Sequence, residues 1–283
     1  MFSLRCNDKK SIEVGNKKVL KEFILDFRDF HLTRLCNAHL QIVLSAGGQF
    51  VGTRALALSL KFLTQSLHTK QARLAVKPHI EQLLFGISLP LFVASTKDKK
   101  TFQEDPVEFV RIQVDYHNEF NVKRQLSKFI ERLCALVTGT RKQKGVATHF
   151  VEYMTSICDN LETNKASETA VEALLYAFGN LKERCMVIVM PEMRARMQHI
   201  LQNYAYICLE PCAEGVQEST ERIMLRARAC WVYGKFGSFD FDNDQTHLQA
   251  AADRLIQHLY HEHIAVRVEA ALAISEMLDH QVV

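Results

Sequence analysis

The 283-residue chain is poor in the two residues that most often interrupt helices, with only 11 glycines and 5 prolines. This scarcity favours long helices joined by short turns. No window of the sequence reaches the about 18 uncharged apolar residues that a membrane-spanning helix needs, and residues 1–15 lack the apolar core of a signal peptide. We therefore expect the chain to make no contact with a membrane.

Metal-binding and disulfide patterns are also missing. None of the 8 cysteines forms a Cys-x-x-Cys pair. Cys36 and Cys230 lie on apolar helical faces, which is typical of buried thiols in a reducing compartment. Cys208 and Cys212 lack the two further ligands of a zinc site. The histidines of 258–263 do not have the i, i+4 spacing of the zinc motif His-Glu-x-x-His, so we expect a polar turn there.

No arrangement of residues is typical of an enzyme. The segment Gly47–Gly52 lacks the Gly-Lys-Ser/Thr ending of a phosphate-binding loop, and no nucleophile, base and acid fall together on one helix face. We predict that the chain is not an enzyme, with no catalytic residues, no metal and no cofactor. The basic segments Lys97–Lys100 and Arg141–Lys144 have no aromatic stacking platform beside them. We interpret them as solvated turns and expect no direct contact with nucleic acid.

Apolar residues recur in steps of three and four along most of the chain. Over residues 20–42 this spacing predicts one long helix, or two with a bend between Asp29 and Thr33. Gly47 and Gly48 should end it. The antiparallel partner is predicted from Leu56, Leu60, Leu63 and Leu67, and Pro78 should open the next helix at its first turn.

The pattern is least regular over residues 96–105, which we expect to form an irregular connection. Asp105 followed by Pro106 is typical of an N-cap and a first helical residue. Helices are then predicted at 106–116, 122–138, 143–161, 167–184, 191–209, 218–236, 245–260 and 263–279.

Two of these helices carry the same pattern 41 residues apart, with Arg226 corresponding to Arg267. Each arginine is followed by four positions in steps of three, one and three, which is one helix face. We expect both sets to point inward: Ala227, Cys230, Trp231 and Gly234 in the first, and Val268, Ala271, Leu272 and Ser275 in the second.

A helical repeat of about 40–47 residues is typical of HEAT and armadillo proteins. The sequence therefore predicts an all-α fold, a right-handed α-solenoid of about six HEAT-type repeats that spans residues 1–283. The function of a solenoid usually depends on an extended surface. Because neither terminal helix has a polar outer face, we expect an internal portion of a longer protein.

Within this solenoid, Trp231 is expected in the core. Arg111, Arg226 and Arg267 lie near helix starts. We expect them to bond to carbonyl or acidic groups of the neighbouring repeat, since a guanidinium group suits such bidentate pairing. The alternative is that these arginines line a face that binds a partner.

Four segments resemble the importin-β (karyopherin) superfamily, in particular nuclear import receptors of the importin seven/eight type. They are Val76–Ile80, Phe102–Arg111, Arg226–Val232 and Val266–Ala271, and their order and approximate spacing also agree with that family. The resemblance implies the middle portion of a receptor that shuttles between cytoplasm and nucleus and imports protein cargo through the nuclear pore.

The resemblance also implies the partners of the full-length receptor. They are nucleoporins, cargo that is typically basic, and Ran-GTP, which drives cargo release and binds mainly to N-terminal repeats that have no match in this chain. Cargo in this subgroup is held on acidic surfaces, whereas this chain has a net charge of +3 and no acidic run. Direct cargo binding by this portion is therefore an open question at the level of sequence.

Three alternatives remain open. The exportin that returns importin-α to the cytoplasm has the same architecture. A HEAT-repeat scaffold of a phosphatase or chromosome complex would explain the general Val-Arg-x-Glu-Ala pattern at Val266–Ala270. A nucleic-acid-associated solenoid would explain the basic turns, and its binding would depend steeply on salt.

Overall fold

The structure, a computed structural model, describes residues 17–114, 120–135, 153–157, 159, 167–186, 191–211, 217–238 and 245–281. Every regular element within these ranges is a helix, so the predicted all-α fold is confirmed. The chain divides into two compact units. Unit 1 consists of Met1–Leu91 and Glu119–Leu136, and unit 2 consists of Phe92–Asn118 and Val137–Val283. A single solenoid of about six repeats over the whole chain stays a prediction.

Five helices lie in unit 1: α1 (Lys17–Asp26), α2 (Leu32–Ser45), α3 (Thr53–Ser66), α4 (Lys70–Val76) and, later in the chain, α8 (Val122–Cys134). Helix α2 packs against α3 and α4, and α3 packs against α8. Their core consists mainly of leucines, including the predicted Leu56, Leu60, Leu63 and Leu67, all of which are buried.

The N-terminal helical segment is continuous from α1 to α2 but includes a π-helical turn at Phe27–His31. This turn overlaps the segment Asp29–Thr33, where the sequence allowed a bend. The helix ends at Ser45, directly before the turn that contains Gly47 and Gly48. The predicted end of the first helix is therefore confirmed.

The expectation that Pro78 opens a helix is wrong. The helix begins at Lys70, because the Thr69 hydroxyl caps it by accepting a hydrogen bond from the backbone N–H of Ala72 at 3.2 Å. Pro78 lies in a 3₁₀ turn, Lys77–His79, through which the chain stays helical. Proline is compatible with the start of a 3₁₀ turn because its fixed φ angle is close to the helical value.

Beyond α4, the same helical segment continues through a π-helical turn at Gln82–Ser88 into α5 (Leu89–Phe92). The helices that lie wholly in unit 2 are α6 (Thr96–Glu104), α7 (Pro106–Val114), α9 (Glu168–Asn180), α10 (Lys182–Met186), α11 (Pro191–Ile200), α12 (Tyr206–Cys208), α13 (Thr220–Lys235), α14 (Gln245–His258) and α15 (Ile264–Gln281).

These bounds agree closely with the predicted ranges, although the helix predicted at 167–184 is divided between α9 and α10 at Leu181. A π-helical turn, Leu201–Ala205, joins α11 to α12. The helix predicted at 143–161 lies mostly outside the described residues, of which 153–157 are helical.

The expectation that residues 96–105 form an irregular connection is also wrong, because most of this segment is helix α6. Ser95 and Asp98 form a capping box in which each side chain accepts a hydrogen bond from the other residue's backbone N–H, at 3.1 and 2.9 Å. Phe102 is fully buried and anchors the helix. Local capping and one apolar anchor thus compensate for weak apolar periodicity. The predicted start of α7 is confirmed, since the Asp105 carboxylate accepts from the N–H of Glu108 at 3.0 Å.

The cysteines that the structure describes carry buried thiols, as expected: Cys36, Cys134, Cys185, Cys208 and Cys230. Burial raises the pKa of Cys208 to about 11 and raises that of Cys230 further, so both are protonated at neutral pH. Cys212 lies outside the described residues, as does the basic segment Arg141–Lys144. Within the described part of the chain, no helix has the length and apolar character that crossing a bilayer requires.

We predict that Gly179→Ala destabilises the protein by about 1–3 kcal/mol, the usual cost of overpacking. A Cβ atom on Gly179 would lie 2.1 Å from Cζ3 of the Trp231 ring. The measurement is the free energy of unfolding from urea titrations. Gly86→Ala is the matched control, because its added Cβ meets no neighbour closer than 3.7 Å. It should be neutral or stabilising by up to about 1 kcal/mol. Equal effects of the two substitutions would contradict the packing of α9 on the indole.

Candidate protein-binding wall in unit 2

Three helices from distant parts of the sequence lie side by side in unit 2. Helix α13 packs against α9 on one side and against α15 on the other. We call α9, α13 and α15 the three-helix wall. Glycines permit the close approach of α13 to α15: a Cβ on Gly234 would lie 2.8 Å from Cα of Ala273, and one on Gly237 would lie 2.6 Å from Cγ of Met277. Side-by-side helices of this kind form an extended surface of the sort by which helical repeats bind partners.

A buried ion pair joins α9 to α13. Arg228 donates its Nε–H to Oε1 of Glu172 at 2.8 Å, and the two side chains are 5% and 4% exposed. The guanidinium carbon also lies 4.5 Å from the ring centroid of Tyr176 and 4.9 Å from that of Trp231. Arg228 is therefore held by a carboxylate and by two aromatic faces, which are favourable neighbours for a guanidinium group.

The third helix of the wall adds a carboxyl group that is buried among these charges. Glu269 of α15 is 3% exposed, and its Oε2 has no hydrogen-bond partner among the residues that the structure describes. Burial raises the pKa of Glu269 to about 7, with a smaller upward effect from Glu276, while Arg228 and Lys235 act to lower it. Near neutral pH this carboxyl group is therefore partly protonated.

Equivalent positions of α13 and α15 carry charges of opposite sign. In the 41-residue register, Lys235 corresponds to Glu276, and Arg228 corresponds to Glu269. Lys235 Nζ lies 2.7 Å from Oε1 of Glu276. We call the five charged residues Glu172, Arg228, Lys235, Glu269 and Glu276 the polar seam. The seam links the three helices through α13, because Arg228 pairs with Glu172 of α9 and Lys235 pairs with Glu276 of α15.

Trp231 lies beside this seam rather than in the buried core, so its prediction as a core residue is wrong. The side chain is half-buried. Its ring covers Gly179, stacks on Tyr176 at 5.7 Å between centroids, and lies within 5.9 Å of Lys235 Nζ. The indole fills the groove between α9 and α13, and one part of it stays accessible.

The inward orientation predicted for the two repeat-related sets is confirmed in α13 for every member except the half-buried Trp231, and it is wrong for most of the set in α15. In α13, Ala227, Cys230 and Gly234 are buried. In α15, the equivalent Ala271, Leu272 and Ser275 are exposed. The reason is tertiary: α15 packs on α13 through the opposite side of its own surface, which includes Ala273 and Met277.

Arg226 links α13 by hydrogen bonds to the segment that precedes it. Its Nη1 donates to the carbonyl oxygens of Cys208 at 3.2 Å and Glu210 at 2.7 Å, and its Nη2 donates to the Glu218 carboxylate. The side chain is 1% exposed. The expected bonding of Arg226 to carbonyl and acidic groups is confirmed, although the acceptors belong to the preceding helix end and turn.

Arg267 has the same role in α15. Its Nη1 donates to the carbonyls of His261 at 2.8 Å and Glu262 at 2.9 Å, in the turn between α14 and α15. Arg111 differs, since its guanidinium group pairs in a bidentate manner with Glu108 on its own helix. Two of the three arginines thus stabilise the turns that position the wall, as their shared register in the sequence indicates.

A helical hairpin from much earlier in the chain covers one end of the wall. Phe102 of α6 stacks on the His263 ring at 4.4 Å between centroids and contacts Phe109 of α7 edge to face at 5.0 Å. Lys99 Nζ lies 2.8 Å from Oε1 of Glu221, at the start of α13. The α6–α7 hairpin therefore joins the N-terminal ends of α13 and α15.

The histidines of the segment 258–263 each contact protein groups. His258 donates from Nε2 to the carbonyl of Leu209 at 2.9 Å, and burial and then Arg226 lower its pKa to about 4. Nε2 of His261 lies 3.3 Å from Oε2 of Glu218. The segment forms the turn that the sequence predicted. No cluster of potential metal ligands occurs in the described ranges.

We predict that Arg228→Met costs about 3–5 kcal/mol, because it leaves buried carboxyl groups without their cation. Glu172→Met should cost less, since Glu269 remains near Arg228. The double substitution should restore part of the loss, and a double-mutant cycle in urea measures the coupling. As a control, Lys100→Met removes an exposed pair with Glu104 at 3.8 Å. It should change stability by less than about 0.5 kcal/mol. Additive effects of the two buried substitutions would contradict the pairing.

A second prediction concerns pH. The ordinary pKa of Glu269, 4.5, is raised to about 7 in the folded protein. Because the folded state binds this proton more tightly than the unfolded state does, protonation of Glu269 stabilises the folded protein. This contribution to the free energy of unfolding is complete below pH 4.5 and is lost as pH rises to about 7. Relative to Glu269→Gln, the wild-type protein should therefore lose about 3 kcal/mol across this interval. Urea unfolding of both proteins at several pH values measures the difference, in which other titrating groups cancel. A difference that does not vary with pH would contradict the burial of this carboxyl group.

Comparison with known proteins places these features in a family context. No family model matches the chain, and no solved structure matches it. The chain is 26% identical to importin-8 of Danio rerio over 269 residues, which are 93% of this chain and 24% of that protein. It is 23% identical to human importin-8 over 272 residues, with the same coverage of both proteins.

An importin beta-like SAD2 homolog of Arabidopsis thaliana is 24% identical over 265 residues, which are 92% of this chain and 24% of that protein. The chain thus spans about a quarter of the length of the curated relatives that it matches. Together with the all-helical structure and the 41-residue repeat, this similarity confirms both the predicted fold class of HEAT-type helical repeats and the resemblance of the chain to the importin-β superfamily.

Proposed function

We propose that this chain is part of a nuclear import receptor, and that the receptor carries protein cargo through the nuclear pore and releases it when it binds Ran-GTP. The observation that carries this proposal is the similarity to importins over more than nine-tenths of the chain. Such a receptor shuttles between cytoplasm and nucleus, contacts nucleoporins on the way, and acts by binding rather than by catalysis.

The charge distribution supports a basic cargo for this part of the receptor. The net charge of +3 for the whole chain is the sum over two units whose net charges have opposite signs. Unit 2 contains 24 Asp and Glu residues against 18 Lys and Arg, a net charge of −6. An acidic surface attracts basic ligands and speeds their encounter. The three-helix wall belongs to this acidic unit, and we propose it as the cargo-binding surface.

The construction of the wall suits a receptor that must change shape. Its helices approach one another at glycines and are linked by the polar seam, so small shifts between them keep oppositely charged groups close. Small helix shifts at packed interfaces are a common way for proteins to switch between states. Ran-GTP would release cargo only by binding one state more tightly than the other.

The test is a pull-down with the full-length protein that contains this chain, using Ran loaded with a non-hydrolysable GTP analogue or with GDP. We expect binding to the GTP form alone, with competition between Ran-GTP and a basic cargo such as a histone. Cooperation between Ran-GTP and cargo would indicate an export receptor, such as one for importin-α, and would overturn the import direction.

A further outcome separates transport from other roles. Equal binding to both nucleotide forms, or to neither, would exclude a transport receptor and favour a HEAT-repeat scaffold of a protein complex. To test the wall directly, Glu276→Gln and Leu272→Lys, which make it less acidic, can be compared with Leu278→Lys, which alters exposed surface nearer the end of α15. Histone binding should weaken by about threefold or more for a substitution inside a contact surface.

A further inference from the structure

Unit 1 has the opposite charge from unit 2, with 17 Lys and Arg residues against 8 Asp and Glu, a net charge of +9. Neither the resemblance to importins nor the proposed binding of basic cargo explains this excess. Basic cargo would be repelled by such a surface, so the positive charge of unit 1 points to a different ligand.

Part of this charge is concentrated on one side of α4 and the turns that flank it. Lys70, Arg73 and Lys77 follow one another in steps of three and four, which places them on one helical face, and all three are exposed. Leu74 lies on the same face and is 59% exposed. An apolar side chain is thus presented to solvent among three cations.

A second element brings another cation to this region. Arg132 of α8 contacts the ring of His68, in the turn before α4, with Nη2 3.1 Å from Nε2 and closer still to Nδ1. The Nε of Arg132 is buried, and no acceptor for its hydrogen lies within the described ranges. Partial burial lowers the pKa of His68, and so do the charges of Arg132 and Arg73. Two guanidinium groups therefore lie near one imidazole.

The carboxylate seen beside this region is already engaged. Asp29 Oδ1 accepts hydrogen bonds from Nε of Arg28 at 3.0 Å and from Nε2 of Gln71 at 3.1 Å. No ion pair to Arg73 or Arg132 is found among the described residues. We call His68, Lys70, Arg73, Leu74, Lys77 and Arg132 the basic face. It combines clustered positive charge, a buried donor that no described residue accepts from, and one exposed aliphatic side chain.

We propose that the basic face binds an acidic polypeptide segment in which carboxylates flank an apolar side chain. Carboxylates match guanidinium donors in charge and geometry, and an apolar side chain of the partner would pack against Leu74. A polypeptide fits better than a single-stranded nucleic acid, because bases bind by stacking on aromatic rings, whereas the apolar member of this face is aliphatic. This inference is independent of the proposed import function, since it concerns another unit and a ligand of opposite charge.

The test measures, by fluorescence anisotropy with the whole chain, the affinity for a fluorescein-labelled peptide of glutamates with one central leucine. Arg73→Glu together with Lys77→Glu should weaken binding by roughly tenfold, from the loss of two attractive contacts and their replacement by repulsion. Lys97→Glu with Lys100→Glu makes the same change in net charge at exposed residues of unit 2. This control should change affinity by less than about twofold, because neither lysine belongs to the basic face and an exposed charge outside a contact surface is screened by salt.

Leu74→Asn separates a polypeptide ligand from a nucleic acid. It should weaken peptide binding by about threefold through lost apolar contact and leave the affinity for an oligothymidylate of equal charge unchanged. Circular dichroism confirms that each variant is folded. The proposal is overturned if the two charge reversals act equally, if Leu74→Asn has no effect, if the oligothymidylate binds more tightly than the peptide, or if the peptide does not bind at physiological salt.

Discussion

The buried pair of Arg228 and Glu172 is the interaction on which the organisation of unit 2 depends. A buried guanidinium group must be paired, because an isolated charge in a protein interior is strongly unfavourable. Arg228 meets this requirement only if α9 and α13 stay in register, so that Glu172 and the Tyr176 ring both remain in contact with it. The position of Glu269 near the same cation extends this constraint to α15. The order and spacing of the three-helix wall therefore follow from electrostatics as well as from apolar packing.

Glycine has a complementary role in this arrangement. The indole of Trp231 fits against Gly179, and α15 fits against Gly234 and Gly237, at distances that exclude even a methyl group. Close approach shortens the distance over which the charges of the seam act and removes water from between them, which strengthens their interaction. The close contacts at glycines and the polar seam together hold the helices in a definite register, although the contact between them is not purely apolar. A receptor that responds to its ligands by small helix shifts would require both properties.

The two units differ in a way that an average over the chain does not reveal. A net charge of +3 suggests a nearly neutral protein, whereas units of +9 and −6 suggest two surfaces with different partners. The acidic unit suits the basic cargo that a resemblance to importins implies. The basic unit suits an acidic ligand, to which the family resemblance gives no guide. Both interpretations depend on which residues belong to each unit. Glu119–Leu136 belongs to unit 1 although it follows part of unit 2 in the sequence.

The sequence by itself determined the helical fold, most helix ends and the family resemblance, because apolar periodicity, capping residues and short motifs are local signals. It also determined the equivalence of Arg226 and Arg267, whose hydrogen bonds to nearby carbonyls repeat within the same register. It did not determine the α6–α7 hairpin, whose stability depends on contacts with residues more than 100 positions later. Nor did it reveal the polar seam, since Glu172 and Arg228 are 56 residues apart and each alone is typical of a solvated helix face. Only tertiary structure decides which charges are buried together, because burial depends on neighbours that no local pattern specifies.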